Sequence, residues 1–151
     1  MKLIELNEIK NIIKSNSTLA IGGFTFNRKP ISIINEIVKS DIKNLSLFLL
    51  AGSLDVDLLI NSNKLKKISA AYVGYEGLGI STSTRKAVES KKVLFEDLTE
   101  ILYYFRLKAA AIGTPFISTK SLVNSDIAKI NSACKKIKCP FTKEVFVGIK
   151  A

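Results

Sequence analysis

The sequence predicts an α/β protein, an open and mostly parallel sheet with helices on both faces. Short apolar runs alternate with helical patterns along the whole chain, and the connections are long enough for crossovers. One run, residues 45–50, is apolar at every position but Ser46, as suits a strand largely buried on both faces of a parallel sheet. The loops after several runs carry glycine, where an α/β sheet places its sites.

The elements come in this order. Residues 7–15 read as a helix with Ile9, Ile12 and Ile13 on one face, and 18–21 as a strand. Residues 30–39 form a helix with proline at its first position, where a missing N–H does no harm. After the strand at 45–50 comes a helix at 54–61, with Ser53 or Asp55 placed to cap it. A third strand at 68–73 leads into the loop 74–82, a short helix at 84–90 and a fourth strand at 93–95. The clearest helix spans 99–111: Asp97 or Thr99 caps it, Gly113 stops it and Pro115 forbids its continuation. Residues 116–117 and 145–149 look like further strands. The stretch 120–143 is loop-rich, with a helix at 126–133.

At 151 residues, 47% apolar and 24% charged, the chain has the balance of one globular domain over 1–151. No apolar run approaches the roughly 18 to 20 residues that span a bilayer, and the N-terminus lacks the features of a secretory signal, so a cytoplasmic home is expected. There is no histidine, and Cys134 and Cys139 are not spaced as a C-x-x-C pair, so no metal site is expected and both read as small apolar residues. The net charge of +10 comes from twenty lysines and three arginines, scattered rather than gathered with aromatics, and matched by twenty isoleucines. That pattern argues for coding bias over nucleic-acid binding, although a diffuse basic field attracts anionic ligands.

Four segments hold the candidate site residues, all expected at carboxyl ends of strands: Gly22-Gly23-Phe24, Ala51-Gly52-Ser53, the run from Tyr72 to Gly79 around Glu76, and Gly113-Thr114-Pro115-Phe116. Each also has a plain structural explanation, as a tight turn, a helix cap or a helix stop. Neither G-x-G-x-x-G nor a P-loop comes after the first strand. Glu76, in a glycine-flanked loop, has the setting of a nucleophile or general base, and a Ser-His-Asp relay is impossible without histidine.

Taken together, Ile21-Gly22-Gly23-Phe24, Arg28-Lys29-Pro30, the run 45–53 continued by Asp57-Leu58-Leu59-Ile60, Ala70-Ala71-Tyr72-Val73-Gly74-Tyr75-Glu76 and Gly113-Thr114-Pro115-Phe116 resemble the A (alpha) subunit of family I coenzyme A transferases, of the glutaconate CoA-transferase type. The resemblance implies transfer of coenzyme A from an acyl-CoA to a carboxylate, with coenzyme A as substrate and no resident cofactor. It implies a B (beta) subunit that supplies the nucleophilic glutamate, in an oligomer, so Glu76 does not inherit that role. Gly22, Gly23 and Phe24 would line the shared site, with Glu76 at its edge, Ser53 would approach the acyl group, and Arg28 would meet a carboxylate or the partner subunit. The resemblance also implies a form shortened at its C-terminal side. An inactive paralogue or interaction module keeping the fold is the competing expectation, and a sugar-phosphate isomerase of similar architecture is a third.

Overall fold

A computed structural model describes residues 3–151, which divide into two compact units, residues up to Glu96 and Asp97–Ala151. The first unit is a four-stranded sheet in the order β1 (Thr18–Phe24), β2 (Leu45–Gly52), β3 (Leu65–Val73), β4 (Leu94–Asp97), with β1, β2 and β3 mutually parallel. Its helices are α1 (Ile9–Ile12), α2 (Ile31–Lys39), α3 (Leu54–Asn61) and α4 (Thr82–Glu89). Consecutive strands are neighbours, and right-handed crossovers then put successive helices on the same face. Accordingly α1 packs on α2, α2 on α3 and α3 on α4. The helices of this unit therefore line one face of its sheet, where both faces were expected to carry them.

The core lies between that face and the helices. Leu45, Leu47 and Leu49 of β2 alternate inward and meet Ile68 and Ala70 of β3, Ile34 and Ile37 of α2, and Val56 and Leu59 of α3, all essentially inaccessible to water. Each of the leucines, isoleucines and the valine contributes roughly 1.5–3 kcal/mol by leaving water. On the opposite face Ser46, Phe48 and Leu50 are half-buried, so β2 is less symmetrical than its largely apolar run implies.

Several expected boundaries move. The first helix is a 3-10 turn at Leu6–Glu8 continued by the single turn of α1. The strand expected at 18–21 runs on as β1 through both glycines, which form an irregularity where the register shifts between Ile21 and Phe24. Pro30 sits one residue before α2 rather than within it. Ser53 stands at the start of α3 but makes no side-chain cap; Ser81 caps α4 instead, by accepting from the Thr84 N–H at 3.0 Å.

The second unit opens with α5 (Glu100–Ala111), capped by Thr99, whose hydroxyl accepts from the Leu102 N–H at 3.1 Å. Gly113 ends it with φ +70. A three-stranded antiparallel sheet comes next, in the order β5 (Phe116–Thr119), β7 (Val145–Lys150), β6 (Cys134–Lys138), with the short α6 (Ile127–Ile130) inserted. Two expectations are corrected here. The Gly113-Thr114-Pro115-Phe116 segment leaves a helix and enters a strand, so it is not at a strand's carboxyl end. The loop-rich stretch hides β6, whose lysines occupy an edge strand, where charge discourages stray pairing.

No helix among the described residues is long and apolar enough to cross a membrane. The two cysteines differ. Cys134 is buried, whereas Cys139 sits in the β6–β7 hairpin loop, where hydrogen bonds from the Thr142 side chain and from the Thr142 and Phe141 N–H groups hold its thiol below the usual range.

Candidate functional site

Three loops leave the carboxyl ends of β1, β2 and β3 and are tied into one rim. The β1–α2 loop doubles back on itself: Phe24 and Asn27 exchange both backbone hydrogen bonds, at 3.0 and 2.7 Å, around Thr25 and Phe26. The β2–α3 loop is the short Gly52-Ser53 turn. The β3–α4 loop forms a 3-10 turn at Glu76–Leu78, with the Tyr75 N–H bonded to the Gly79 carbonyl at 2.8 Å.

Three of the left-handed non-glycine residues lie at this rim; Lys91 and Lys143 are elsewhere. The turns entering β1, β2 and β3 place Asn16, Asn44 and Asn63 in the left-handed region, where asparagine is at ease. The rim places Thr25 (φ +45), Arg28 (φ +57) and Glu76 (φ +49) there instead. For a β-branched threonine that conformation is a true outlier, and such outliers persist where surrounding structure enforces them, commonly at functional sites. The enforcement is visible: the Thr25 hydroxyl donates to Glu76 Oε1, and the Thr25 carbonyl accepts from Ser53 Oγ at 2.6 Å.

Two carboxylates on the first turns of α3 hold the rim from below. Asp55 accepts the Ser53 N–H at 2.8 Å through Oδ1 and pairs with Lys29 Nζ at 3.1 Å through Oδ2. Lys29 also donates to the Ala51 carbonyl at 2.7 Å, and both side chains of the pair are enclosed, at 1% and 0% exposure. Oδ2 has no properly aligned donor, so the ammonium reaches it as charge rather than as a hydrogen bond. Asp57 accepts three hydroxyls: Tyr75 on Oδ2 at 2.5 Å, and Ser81 and Thr84 on Oδ1. Both carboxylates lie at the positive end of the α3 dipole.

The Tyr75 phenol is pushed up to about 12, by burial first, then by its bond to Asp57 and the charges of Asp57 and Asp55. A phenol held neutral in the folded state stabilises the fold fully below its unfolded pKa of about 10, and that contribution is lost as pH rises through 12. Urea titrations between pH 9 and about 12 are therefore expected to show a loss of stability that Tyr75→Phe removes.

Of the expected site residues, the structure gathers Gly22, Gly23, Phe24, Ser53 and Glu76 at this rim. Gly23 is needed by the backbone: its φ is +85, and a Cβ there would lie 2.6 Å from the Asn27 carbonyl oxygen and 2.7 Å from that of Arg28. Gly22 is different, exposed, without a positive φ, and with nothing within 4 Å of a Cβ. Phe24 and Phe26 are about half exposed, and the Phe26 ring lies 5.4 Å from that of Tyr75. Ser53, expected to approach an acyl group, is wholly enclosed and serves as a tether between loops. Arg28 is exposed, and its neighbour Lys29 has the buried partner. Sequence reasoning gave no site role to Lys29, Asp57, Thr25 or Ser81, although Lys29 and Asp57 stand in the segments that carry the resemblance. The available signal was a pair of aspartates at Asp55 and Asp57 inside an otherwise apolar helix.

Known proteins share this architecture. The family model for coenzyme A transferase matches residues 6–138. The chain belongs to the coenzyme A transferase family. Among curated relatives it is similar to the A subunit of glutaconate CoA-transferase from Acidaminococcus fermentans, 29% identical over 131 residues, covering 86% of this chain and 41% of the relative. It is also similar to the A subunit of 3-oxoadipate CoA-transferase from Pseudomonas knackmussii, 28% identical over 152 residues, covering 98% of this chain and 54% of the relative. The crystal structure of the Acidaminococcus fermentans glutaconate coenzyme A-transferase superposes with a TM-score of 0.86 at 26% identity, over 97% of this chain and 52% of that one. This coenzyme A transferase-family chain thus spans about half the length, or less, of the curated relatives it matches.

Proposed function

We propose that this chain forms half of an acyl-CoA:carboxylate coenzyme A transferase site, as an A-type subunit whose B-type partner supplies the nucleophilic glutamate. The family match across residues 6–138 carries the reading, and the names of the relatives, both A subunits of CoA-transferases, support the A-type role. In the reaction, the partner's glutamate oxygen attacks the thioester carbon and expels the coenzyme A thiolate, leaving an acyl–glutamyl anhydride. The thiolate then attacks the glutamyl carbonyl, releasing the first acid and forming a glutamyl-CoA thioester. An incoming carboxylate attacks that thioester and leaves with the coenzyme A by the reverse steps.

This chain's part is the rim that faces the reacting carbonyl. Gly22 supports that role, because nothing in the fold requires glycine there: a bare, exposed backbone admits close approach of an acyl group to its N–H. Glu76 is engaged by Thr25 and belongs to the rim wall.

The test pairs the chain with a B-type partner and measures coenzyme A exchange between an acyl-CoA and a carboxylate. Exchange is expected only in the mixture, with the trapped glutamyl-CoA adduct on the partner, and Glu76→Gln is expected to leave the adduct there. An adduct on this chain, lost in Glu76→Gln, would overturn the assignment; no exchange in any mixture would favour an interaction module. Gly22→Val is expected to lower kcat/KM by roughly a hundredfold with little change in melting temperature, since it fills the approach without straining the backbone.

A further inference from the structure

We propose that Asp57 is a positioning residue: buried beneath the rim, it fixes the Glu76 loop by holding both of its ends. The proposal rests on the reading of the rim as half of a transfer site. Asp57 is 8% exposed and lies on α3, below the surface any substrate would touch. Its two oxygens divide the work. Oδ2 takes the Tyr75 hydroxyl, at the start of the loop, and Oδ1 takes the hydroxyls of Ser81 and Thr84, at its end.

Between those anchors residues 76–80 are exposed, and a Cβ at Gly77 or Gly79 would meet nothing within 4 Å. Its own backbone bonds shape the turn, and beyond the Thr25 contact its place on the rim depends on its ends. Tyr75 passes that position to the β1–α2 loop through its ring contact with Phe26, and Glu76 passes it on through Thr25. A buried carboxylate satisfied by three neutral hydroxyls and, among the described residues, no cation is an expensive way to fill space, and an apolar residue would serve the core as well. What the carboxylate supplies is several acceptor lone pairs at one point, enough to gather two loop ends at once.

Asp57→Asn cuts neither tie outright: its amide oxygen still accepts from Ser81 and Thr84, and its NH2 donates to the Tyr75 hydroxyl oxygen, so it should be the milder change. Asp57→Val and Tyr75→Phe each remove the Tyr75 bond and should behave alike at the start of the loop. In the isolated chain, exchange of the Tyr75, Leu78 and Gly79 amides, which close the loop's backbone bonds, is expected to rise roughly tenfold in either variant. The double variant should rise no further than Asp57→Val alone, because both changes break the Tyr75 bond. Amides of Leu49 and Ala70 in the strands should not change.

With a B-type partner, Asp57→Val and Tyr75→Phe are each expected to lose roughly tenfold in kcat, with KM for the acyl-CoA within about twofold. Unchanged loop exchange, exchange rising equally in the strands, or additive effects in the double variant would overturn the proposal. The exchange measurement needs no activity, so a chain inactive with every partner would sink the transferase reading and leave this result legible.

Discussion

Replacing Lys29 with methionine is expected to cost about 3–5 kcal/mol, because it leaves the Asp55 carboxylate buried and uncompensated. In a chain of this size that lowers the melting temperature by roughly 6 to 20 °C. The loss should be local in origin yet wide in effect: Lys29 joins the β1–α2 loop to the Ala51 carbonyl of β2, and Asp55 joins both to the Ser53 N–H. Adding Asp55→Asn to Lys29→Met should recover most of it. The asparagine oxygen still accepts from Ser53, and no charge is left to desolvate. Thermal unfolding of the two single variants and the double variant reads this directly. A Lys29→Met chain as stable as the parent would mean the pair is solvated and the tether unimportant.

Gly23→Ala is the second large effect, at about 2–5 kcal/mol. The left-handed φ of +85 contributes roughly 1–2 kcal/mol for any residue with a Cβ. The rest comes from overlap with backbone atoms of Asn27 and Arg28, which no rotamer change can relieve. Gly22→Ala, one residue earlier, is expected to change stability by less than about 0.5 kcal/mol, since its Cβ points into open space. Urea unfolding of the two alanine variants side by side makes the contrast. Equal destabilisation would show that the glycine pair is a simple turn, and the case for Gly22 as an approach point would fall.

The parallel part of the fold was legible because its signals are local. The apolar run at 45–50 and the glycine after it are readable within a few residues and hold in the structure, as does the equally local Thr99 cap of α5 in the second unit. The antiparallel sheet was not legible. In β6 three lysines fall among five residues, a pattern that reads as loop because the apolar face of an edge strand is supplied by its neighbour β7. Gly113 was read correctly as a helix stop and wrongly as a site at a strand end, because the element after a helix depends on the next pairing partner.

For the site, the residue types were readable and their partners were not. The sequence alone determined that glycine-bearing turns come after apolar strands, and that these turns share one end of a parallel sheet. It also determined that no histidine is present to relay protons. Only the tertiary structure decided that Ser53 is enclosed, that Lys29 rather than Arg28 has a buried partner, and that Asp57 draws in three hydroxyls from residues 18 to 27 positions away. The physical reason is range. Turn and strand preferences act between adjacent residues, whereas a buried charge is set by whichever groups the folded chain carries to within hydrogen-bonding distance.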